Sequence, residues 1–354
     1  MKEITHGGDV YALGEREILD FSASMNPLGM PPEVARAARE GVAASDRYPD
    51  PRCRALRRAI AEVEGVSPEQ IFCGNGAAEL LDRLALALHP RRAMVLAPTF
   101  GEYERALRAN GCKVISHYLK PEREFDVTED LLWVLRPGLD LVLLCNPNNP
   151  TGRTISSPLL AELCRRCQAQ NTVLVVDESF LSLTDTEAQT DLRPLLAECP
   201  RLALLRSLTK SYAMPGLRLG YLLCGDPALL ERVSLAGQPW GVSVPAQCAG
   251  IAAMRRPDWP RLGREAAAPQ RRRLTEELRK LGFRVWDSRA NYLLFYSSRW
   301  TDLRERLLQR DLLIRDCSGF PGLGPGYYRI AVRTEAENTR LLQALEEVCK
   351  EGRG

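Results

Sequence analysis

The sequence predicts an α/β fold, with a large domain built on a mostly parallel central sheet and a smaller α+β C-terminal domain. Between about Ile71 and Leu223, short apolar runs alternate with segments of helical periodicity. These runs are continuously apolar, which is typical of parallel strands buried on both faces. After about Gly241 the pattern changes to long helices followed by short strands, which indicates a second architecture in the same chain.

Within the large domain, the boundaries of the elements can be read in order. Helix starts are marked by Thr128 before EDLL and by Ser157, with Pro158 in the first helical position. These signals place NNPTG (148–152) and Asp177 at the carboxyl ends of strands, where open α/β sheets bind ligands. The predicted strands are AMVLAP, the stretch around Cys112 to Tyr118, LDLVLLC, VLVVDE, LALLRS and LRLGYLLC.

The C-terminal part begins with RLGREAAAPQRRRLTEELRKLG, a helical stretch that we expect Pro269 to interrupt and whose RRR run we expect to be a solvated face. The strand candidates NYLLFY, LLIRDC and YYRIAVR follow, with a closing helix from about Glu335 to Cys349. The first 30 or so residues contain HGG and NPLG, are too short for a domain and are expected to lie over the site. We therefore predict a lid segment at 1–30, a large domain at 31–240 and a small domain at 241–354.

Composition narrows the function classes. The 354 residues carry a net charge of +3 with both signs interspersed, so nucleic acid is not favoured as a partner. We find neither an N-terminal signal pattern nor an apolar stretch of about 18 residues, and we expect a soluble, cytoplasmic protein that does not bind a membrane. Eleven scattered cysteines fit reduced thiols better than a disulfide framework.

Cys164 and Cys167 form a C-x-x-C, which could be a redox pair or half of a zinc site. They lie within a predicted helix, and neither a second pair nor a nearby histidine completes a tetrahedral set. The pattern therefore favours a structural role, and we expect no metal.

Lys210 is the most informative residue. It lies in SLTKSYAMPGLRLG, directly after the apolar run LALL and before another predicted strand. With Ser207, Thr209 and Arg218 around it, a lysine here could hold an aldehyde cofactor as an imine while the neighbours bind its phosphate. That combination suggests pyridoxal 5′-phosphate (PLP), an electron sink for amino-acid chemistry. A surface charge is the ordinary alternative for a lone lysine.

Three further residues fit the cofactor ring. Asp177 could stabilise the protonated pyridine nitrogen, since an opposite charge raises the pKa of that group; a helix N-cap or strand-end turn is its alternative. Asn149 could donate to the ring hydroxyl oxygen, or NPTG could be an ordinary loop. Phe100, in PTFGEY, could stack on the ring or belong to the core.

A phosphate site is predicted at CGNGAAELLDRLAL (73–86), which reads as a strand, a glycine turn and a helix. Backbone N–H groups at a helix start bind anions. Asn75, Gly76 and Ala77 are the predicted backbone donors, and the side chains of Ser207, Thr209 and Arg218 complete the cradle.

Taken together, GNG, PTFGEY, NNPTG, VVDE, SLTKSYAMPGLRLG and YYRIAVRTEAEN resemble, in order and spacing, the fold-type I PLP enzymes related to histidinol-phosphate aminotransferase. The resemblance covers nearly the whole chain. The N-terminal HGGDVYALGEREILDFSASMNPLG, followed by RYPDP, resembles more closely the threonine-phosphate decarboxylase family of cobalamin biosynthesis. The resemblance implies PLP-dependent decarboxylation of O-phospho-L-threonine, or of O-phospho-L-serine, to the amino-alcohol phosphate of the nucleotide loop. The alternatives are a histidinol-phosphate type aminotransferase and a catalytically idle PLP-binding sensor.

The resemblance also implies roles for particular residues. Lys210 matches the lysine that binds the cofactor covalently, and Asp177 matches the pyridinium partner. Tyr48 matches a tyrosine that reaches the cofactor phosphate of the neighbouring subunit, which implies a homodimer with a shared site. Phe180 departs from transaminating relatives, which commonly carry a tyrosine there. The implied substrate-binding residues are Arg329 and Asn149 for the carboxylate side and His6, Gly7, Gly8, Asn26 and Arg315 for the phosphate.

The choice between decarboxylation and transamination is a question of substrate orientation. The Cα bond that stands perpendicular to the plane of the cofactor system breaks fastest. Arg315, Arg329 and Arg333 are candidate anchors for the two anionic groups of the substrate, since a guanidinium pairs bidentately with carboxylate or phosphate. An exposed salt bridge is the alternative for Arg315 and Arg329.

Overall fold

The computed structural model describes residues 6–185 and 190–351. The strands in this part of the chain are β1 (Leu19–Asp20), β2 (Ile71–Gly74), β3 (Arg92–Ala97), β4 (Lys113–Tyr118), β5 (Leu141–Cys145), β6 (Val173–Asp177), β7 (Leu202–Ser207), β8 (Gly220–Cys224), β9 (Arg284–Val285), β10 (Tyr292–Tyr296), β11 (Leu312–Leu313), β12 (Arg315–Asp316) and β13 (Tyr327–Ala331).

Helices cover the sheets and connect the strands. They are α1 (Pro32–Ala43), α2 (Arg54–Glu64), α3 (Ala77–Leu88), α4 (Gly101–Ala109), α5 (Asp130–Val134), α6 (Ser157–Ala169), α7 (Leu208–Ser211), α8 (Pro227–Leu235), α9 (Val244–Met254), α10 (Trp259–Lys280), α11 (Leu303–Leu308) and α12 (Glu335–Glu351).

The central sheet has seven strands in the order β2-β8-β7-β6-β5-β3-β4. The pairs β3·β4, β3·β5, β5·β6 and β6·β7 are parallel, and β8 runs antiparallel to both of its neighbours. Every residue of β5, β6, β7 and β8 is buried, because helices cover both faces. The mostly parallel sheet predicted from the continuous apolar runs is therefore confirmed.

This topology brings the carboxyl ends of several strands to one edge. β6 ends at Asp177 and β7 at Ser207, while β5 leads directly into the NNPTG segment. α3 begins just after β2, so its N-terminus reaches the same edge. A ligand site is expected at this edge of an open α/β sheet.

A second, antiparallel sheet has the order β12-β13-β10-β9 and packs with α10 and α12. The N-terminal segment joins this part of the molecule, since β1 pairs in parallel with β11 and Phe21 lies in its hydrophobic cluster. Conversely, Trp286 and Leu294 belong to the cluster beneath the large sheet. The boundaries at 30/31 and 240/241 stay a prediction.

The structure corrects three expectations about elements. α10 continues through Pro269, because a proline removes one helical hydrogen bond while α10 is held by a buried face that includes Ala267 and Leu274. LLIRDC forms two short strands, β11 and β12, in different sheets. The helix start at Ser157 is right, but Pro158 is its second residue, and α5 begins at Asp130, two residues after Thr128.

The RRR run is not a solvated face. Arg271 is 8% exposed. Its Nη1 donates to the carbonyls of Arg289 and Ala290, both at 3.3 Å, and its Nη2 to Asp185 Oδ2 at 3.3 Å. Of the three arginines, only Arg272 is exposed, because successive residues of a helix point 100° apart and cannot share one face.

Candidate active site

A cavity of about 1030 Å³ opens at the carboxyl edge of the central sheet. The N-terminal segment, α4 and the loop after β12 enclose it. Most of the residues singled out in the sequence lie in its wall, although they come from distant parts of the chain. They are His6, Gly7, Gly8, Ala77, Phe100, Asn149, Asp177, Ser207, Thr209, Lys210, Arg218, Arg315 and Arg329, together with Arg333.

Lys210 lies in the short helix α7 and faces the cavity. Burial lowers the pKa of its amine to about 8, and the charges of Arg329 and Arg218 act in the same direction. Asp177 and Asp20 oppose this shift. A lysine that loses its proton this readily is suited to act as a nucleophile or as a proton carrier.

Asp177 ends β6 and is 4% exposed. Both of its carboxylate oxygens are held: Tyr103 Oη donates to Oδ2 at 2.7 Å, and the backbone N–H of Ser179 donates to Oδ1 at 2.9 Å. Burial raises the pKa of Asp177, whereas Ser179, Tyr103 and Lys210 counteract it. The hydrogen bond from Ser179 forms a turn at the end of β6. Asp177 therefore takes part in this turn and also presents its carboxyl group to the cavity.

The anion cradle lies at the N-terminus of α3. Ala77 and Ala78 line the cavity there, facing the Ser207 and Thr209 hydroxyls, whose oxygens are 2.7 Å apart. Arg218 completes the group and packs on Gly76, where an added Cβ would come within 2.4 Å of its Nη2. Gly76 also has a φ of +82°, which favours glycine.

Two of the predicted backbone donors do not face the cavity. The N–H of Asn75 donates to Glu79 Oε2 at 3.1 Å, and that of Gly76 donates to the Gly74 carbonyl at 2.8 Å. The lining instead includes Ala78, which the sequence analysis missed. The anion-binding start of a helix is its first turn, so this shift towards the helix could have been anticipated.

Phe100 and Asn149 occupy opposite parts of the wall. The Phe100 ring meets Tyr103 edge-on, with centroids 5.6 Å apart, so it packs in the core and also borders the cavity. Asn149 is buried, and its Oδ1 accepts a hydrogen bond from Arg329 Nη1. Phe180 packs edge-on against Tyr292, and its ring centroid is 5.9 Å from Lys210 Nζ.

Three arginines concentrate positive charge on the remaining wall. Arg329 is buried and donates from Nη2 to the Ser22 carbonyl at 2.7 Å. Its Nε is buried without a hydrogen-bond partner among the described residues. Arg315 lies over the Phe320 ring at 5.5 Å. Arg333 donates to the Asp20 carbonyl at 3.0 Å and pairs with Glu337.

The N-terminal segment closes one side of the cavity through a chain of hydrogen bonds. The N–H of Gly8 donates to Ser22 Oγ at 2.8 Å, and Ser22 Oγ donates to Asp20 Oδ1 at 2.6 Å. His6 Nε2 lies 3.2 Å from Glu102 Oε1 on α4. Sequence reasoning missed Asp20 and Ser22, although both lie in LDFSAS, between the HGG and NPLG motifs.

Asn26 and Tyr48 lie outside the cavity. Asn26 is buried, donates to the Ser211 carbonyl at 2.8 Å, and its N–H donates to the Lys210 carbonyl at 2.9 Å. It therefore anchors the Lys210 segment from behind. Tyr48 is 78% exposed and stacks on Trp240 at 4.8 Å.

The C-x-x-C pair lies on the buried face of α6 and packs in the core. Cys164 and Cys167 are buried in the large hydrophobic cluster, and burial raises the pKa of each thiol to about 12. Thiolate is the form that ligates metals. Within residues 6–185 and 190–351, no cluster of side chains could hold a metal ion, and no helix is long and apolar enough to cross a membrane.

Comparison with known proteins agrees with this geometry. Residues 16–345 match the aminotransferase class I and II family. The chain is 40% identical to the threonine-phosphate decarboxylase of Salmonella typhimurium, over 97% of this chain and 96% of that protein.

Two solved structures have the same fold. The L-threonine-O-3-phosphate decarboxylase of Porphyromonas gingivalis superimposes with a TM-score of 0.82 at 26% identity, covering 93% of this chain and 99% of the other. The histidinol-phosphate aminotransferase of Clostridium acetobutylicum gives a TM-score of 0.88 at 28% identity, covering 94% and 100%. The chain has the fold of the fold-type I PLP enzymes and belongs to the aminotransferase class I and II family.

Proposed function

We propose that this chain is a PLP-dependent carboxy-lyase that converts O-phospho-L-threonine, or O-phospho-L-serine, into the amino-alcohol phosphate used in cobalamin nucleotide-loop assembly. The observation that carries the proposal is that Lys210, Arg315 and Arg329 line the same cavity. A substrate with both a carboxylate and a phosphate matches that pair of guanidinium groups. The 40% identity to the Salmonella enzyme supports the same substrate class.

The residues present fit PLP. The amine of Lys210, with its lowered pKa, suits covalent capture of an aldehyde. The carboxyl group of Asp177 suits a protonated pyridine nitrogen, and the cradle of Ala77, Ala78, Ser207, Thr209 and Arg218 suits a phosphate. Phe100 and Asn149 would border the ring. When bound, PLP withdraws electrons from the bond that breaks at the substrate Cα.

The remaining residues would orient the substrate. Arg329, held by Asn149 and the Ser22 carbonyl, would bind the carboxylate or set its direction. Arg315 and the turn at His6, Gly7 and Gly8 would bind the phosphate on the side of the N-terminal segment. Lys210 would carry the proton to Cα after the carboxylate has left, since general acids and bases accelerate such transfers about 10²- to 10⁴-fold.

A direct assay tests the reaction type. The PLP-loaded protein is incubated with O-phosphothreonine in the absence of any oxoacid, and released carbon dioxide is measured. We expect one carbon dioxide for each O-phosphothreonine consumed. In a parallel incubation with added 2-oxoglutarate, we expect none of the oxoacid to be consumed. The TM-score of 0.88 to a histidinol-phosphate aminotransferase makes amino-group transfer the second candidate. Formation of glutamate from histidinol phosphate and 2-oxoglutarate, with no carbon dioxide, would overturn the lyase assignment.

The proposal includes the assembly and the compartment. Two chains would form a homodimer in which Tyr48 of each reaches the cofactor phosphate of the other, as its exposed position allows. A cytoplasmic location fits the described cysteines, among which no disulfide forms. A small phosphorylated amino acid is the proposed partner, rather than nucleic acid or a membrane.

A further inference from the structure

A buried ionic cluster lies on the opposite face of the central sheet from the cavity. Successive strand residues point to opposite faces. Asp177 and Ser207 therefore face the cavity, whereas their neighbours Glu178 and Arg206 face α2. Glu178 is 2% exposed and Arg206 is 7% exposed, and Arg206 Nε donates to Glu178 Oε2 at 2.8 Å.

The cluster joins four elements. Arg206 Nη1 lies 3.7 Å from Glu64 Oε1 on α2. Arg193 donates to Glu64 Oε2 at 3.0 Å and also pairs with Asp191. Tyr221 stands directly opposite Arg206 in the antiparallel pairing of β7 and β8 and donates to Glu64. β6, β7, β8 and α2 are thus connected behind the cavity.

Glu178 and Arg206 form their pair just beyond the last backbone pairing of β6 with β7. The parallel register of β6 and β7 stops at Asp177 opposite Leu205, and the N–H of Glu178 makes a further bond to the Leu205 carbonyl at 2.8 Å. Beyond that point, the two strand ends are held together by the side-chain pair. These are the strand ends that carry Asp177 and Ser207.

Stability alone gives a weak reason for such a pair. Removing two charges from water is costly, and well-packed apolar residues are often at least as stable in their place. Burial raises the pKa of Glu178 to about 7 although Arg206 opposes the rise, and Glu178 Oε1 is buried without a hydrogen-bond partner among the described residues. The carboxyl group is therefore retained at an evident cost, which points to a geometric use.

We propose that Glu178 and Arg206 are positioning residues that fix the spacing between Asp177 and Ser207. This inference rests on the proposed function, because those two residues would bind opposite ends of PLP. A change of a few tenths of an ångström between the strand ends would move the pyridine partner away from the phosphate cradle. Neither Glu178 nor Arg206 would touch the cofactor.

The test compares cofactor affinity across matched variants. Glu178→Ala and Arg206→Met are prepared without PLP and titrated with it, following tryptophan fluorescence. We expect Kd for PLP to rise about tenfold, the lower end of the effect that follows when a hydrogen-bond partner behind a metal ligand is removed. At saturating PLP, kcat should fall while KM for O-phosphothreonine stays nearly constant. Glu178→Gln, which keeps an oxygen acceptor for Arg206, should restore the wild-type Kd.

Arg271→Met is the matched control, because Arg271 is equally buried and bonds Asp185, and neither of these two residues lines the cavity. It should lower Tm yet leave Kd for PLP unchanged. The inference is overturned if Glu178→Ala and Arg206→Met keep the wild-type Kd, or if Arg271→Met weakens PLP equally at the same loss of Tm. A wild-type protein that does not bind PLP would overturn the proposed function together with this inference.

Discussion

At the scale of single residues, the chemistry depends on groups that the fold holds away from water. Lys210 is the main case, since the fold lowers the pKa of its amine from 10.5 to about 8. A depressed lysine pKa means that the folded protein pays a free-energy penalty for the charged amine. This penalty should be measurable without any substrate.

The penalty predicts a pH-dependent gain of stability in Lys210→Met. Below pH 8 the amine is charged in both the folded and the unfolded state, and the penalty is fully present. Between pH 8 and 10.5 the unfolded state holds a proton that the folded state has lost, so the penalty declines as pH rises. We expect the PLP-free variant to be about 3 kcal/mol more stable than wild type at pH 7, with the difference shrinking towards pH 10.5. Urea unfolding at several pH values measures it.

The exposed Lys113 on β4 provides the control. Lys113→Met makes the same exchange at an exposed position and shows how much of the change comes from replacing lysine by methionine. A constant difference between Lys210→Met and wild type from pH 7 to 10 would contradict the proposed environment of Lys210.

Asp177→Asn should separate cofactor binding from turnover. The amide keeps an oxygen acceptor for the N–H of Ser179 but carries no charge to stabilise a pyridinium. We expect PLP to remain bound while kcat falls about tenfold for each unit by which the pyridinium pKa drops. Tyr103→Phe removes one hydrogen bond to the carboxylate and leaves its charge, so its loss in kcat should be smaller. Equal losses in the two variants would argue against a role for the charge.

The sequence identified residues with local signatures and missed those defined by long-range contacts. Lys210 and Asp177 could be predicted because each follows a strongly apolar strand. Tyr103 could not, since its use depends on a hydrogen bond to a residue 74 positions away. Asn26 was expected to touch substrate, but its partners are the carbonyl of Ser211 and the backbone of Lys210. No local pattern reveals such a partner.

At the scale of elements, the N-terminus of α3 and the glycine before it decide whether an anion fits. Gly76→Ala should weaken PLP binding for two separable reasons. A backbone at φ +82° and ψ 163° is essentially limited to glycine and costs an alanine about 1–3 kcal/mol, and the new Cβ would displace Arg218 from the cradle. Gly111→Ala is the control, since Gly111 also has a positive φ but nothing within 4 Å of an added Cβ.

Both glycine variants should lose some Tm from backbone strain, because both positions have a positive φ. Only Gly76→Ala should raise Kd for PLP, and calorimetry with PLP titration measures both quantities. Unchanged PLP affinity in Gly76→Ala would mean that Arg218 does not belong to the cradle.

Elements were predictable where one periodicity dominated. Uninterrupted runs of apolar residues predict the buried strands of the central sheet. LLIRDC also has the pattern of one strand, but its first residues pair with β1 and its last residues pair with β13. A short sequence does not show which strand it will pair with. The low helix propensity of proline predicts a break at Pro269. The packing of the buried face of α10 keeps the helix continuous.

At the scale of the whole molecule, the proposed homodimer makes a complementation test possible. Lys210→Ala and Tyr48→Ala should each be impaired as homodimers. In a hybrid, one of the two sites would combine Lys210 from one chain with Tyr48 from the other. We expect the mixed protein, after subunit exchange, to release carbon dioxide faster than the sum of the two separate preparations.

Sedimentation should give about twice the 39.5 kDa chain mass for each variant. Trp133→Ala, which removes an exposed aromatic residue from α5, should not complement Lys210→Ala beyond the activity of its own homodimer. A mixture of Lys210→Ala and Tyr48→Ala that equals the sum of its parts would contradict a shared site.

The pairing of β1 with β11 has a consequence for synthesis on the ribosome. β1 can pair only after Leu312 and Leu313 have been translated, 293 residues later than Leu19 and Asp20. By then Lys210, Asp177 and Ser207 have long emerged, and domains fold as they leave the tunnel. Under the proposed function, the residues for the cofactor are therefore made well before Gly8, Ser22 and Arg329 can come together, so the place for the substrate is completed last.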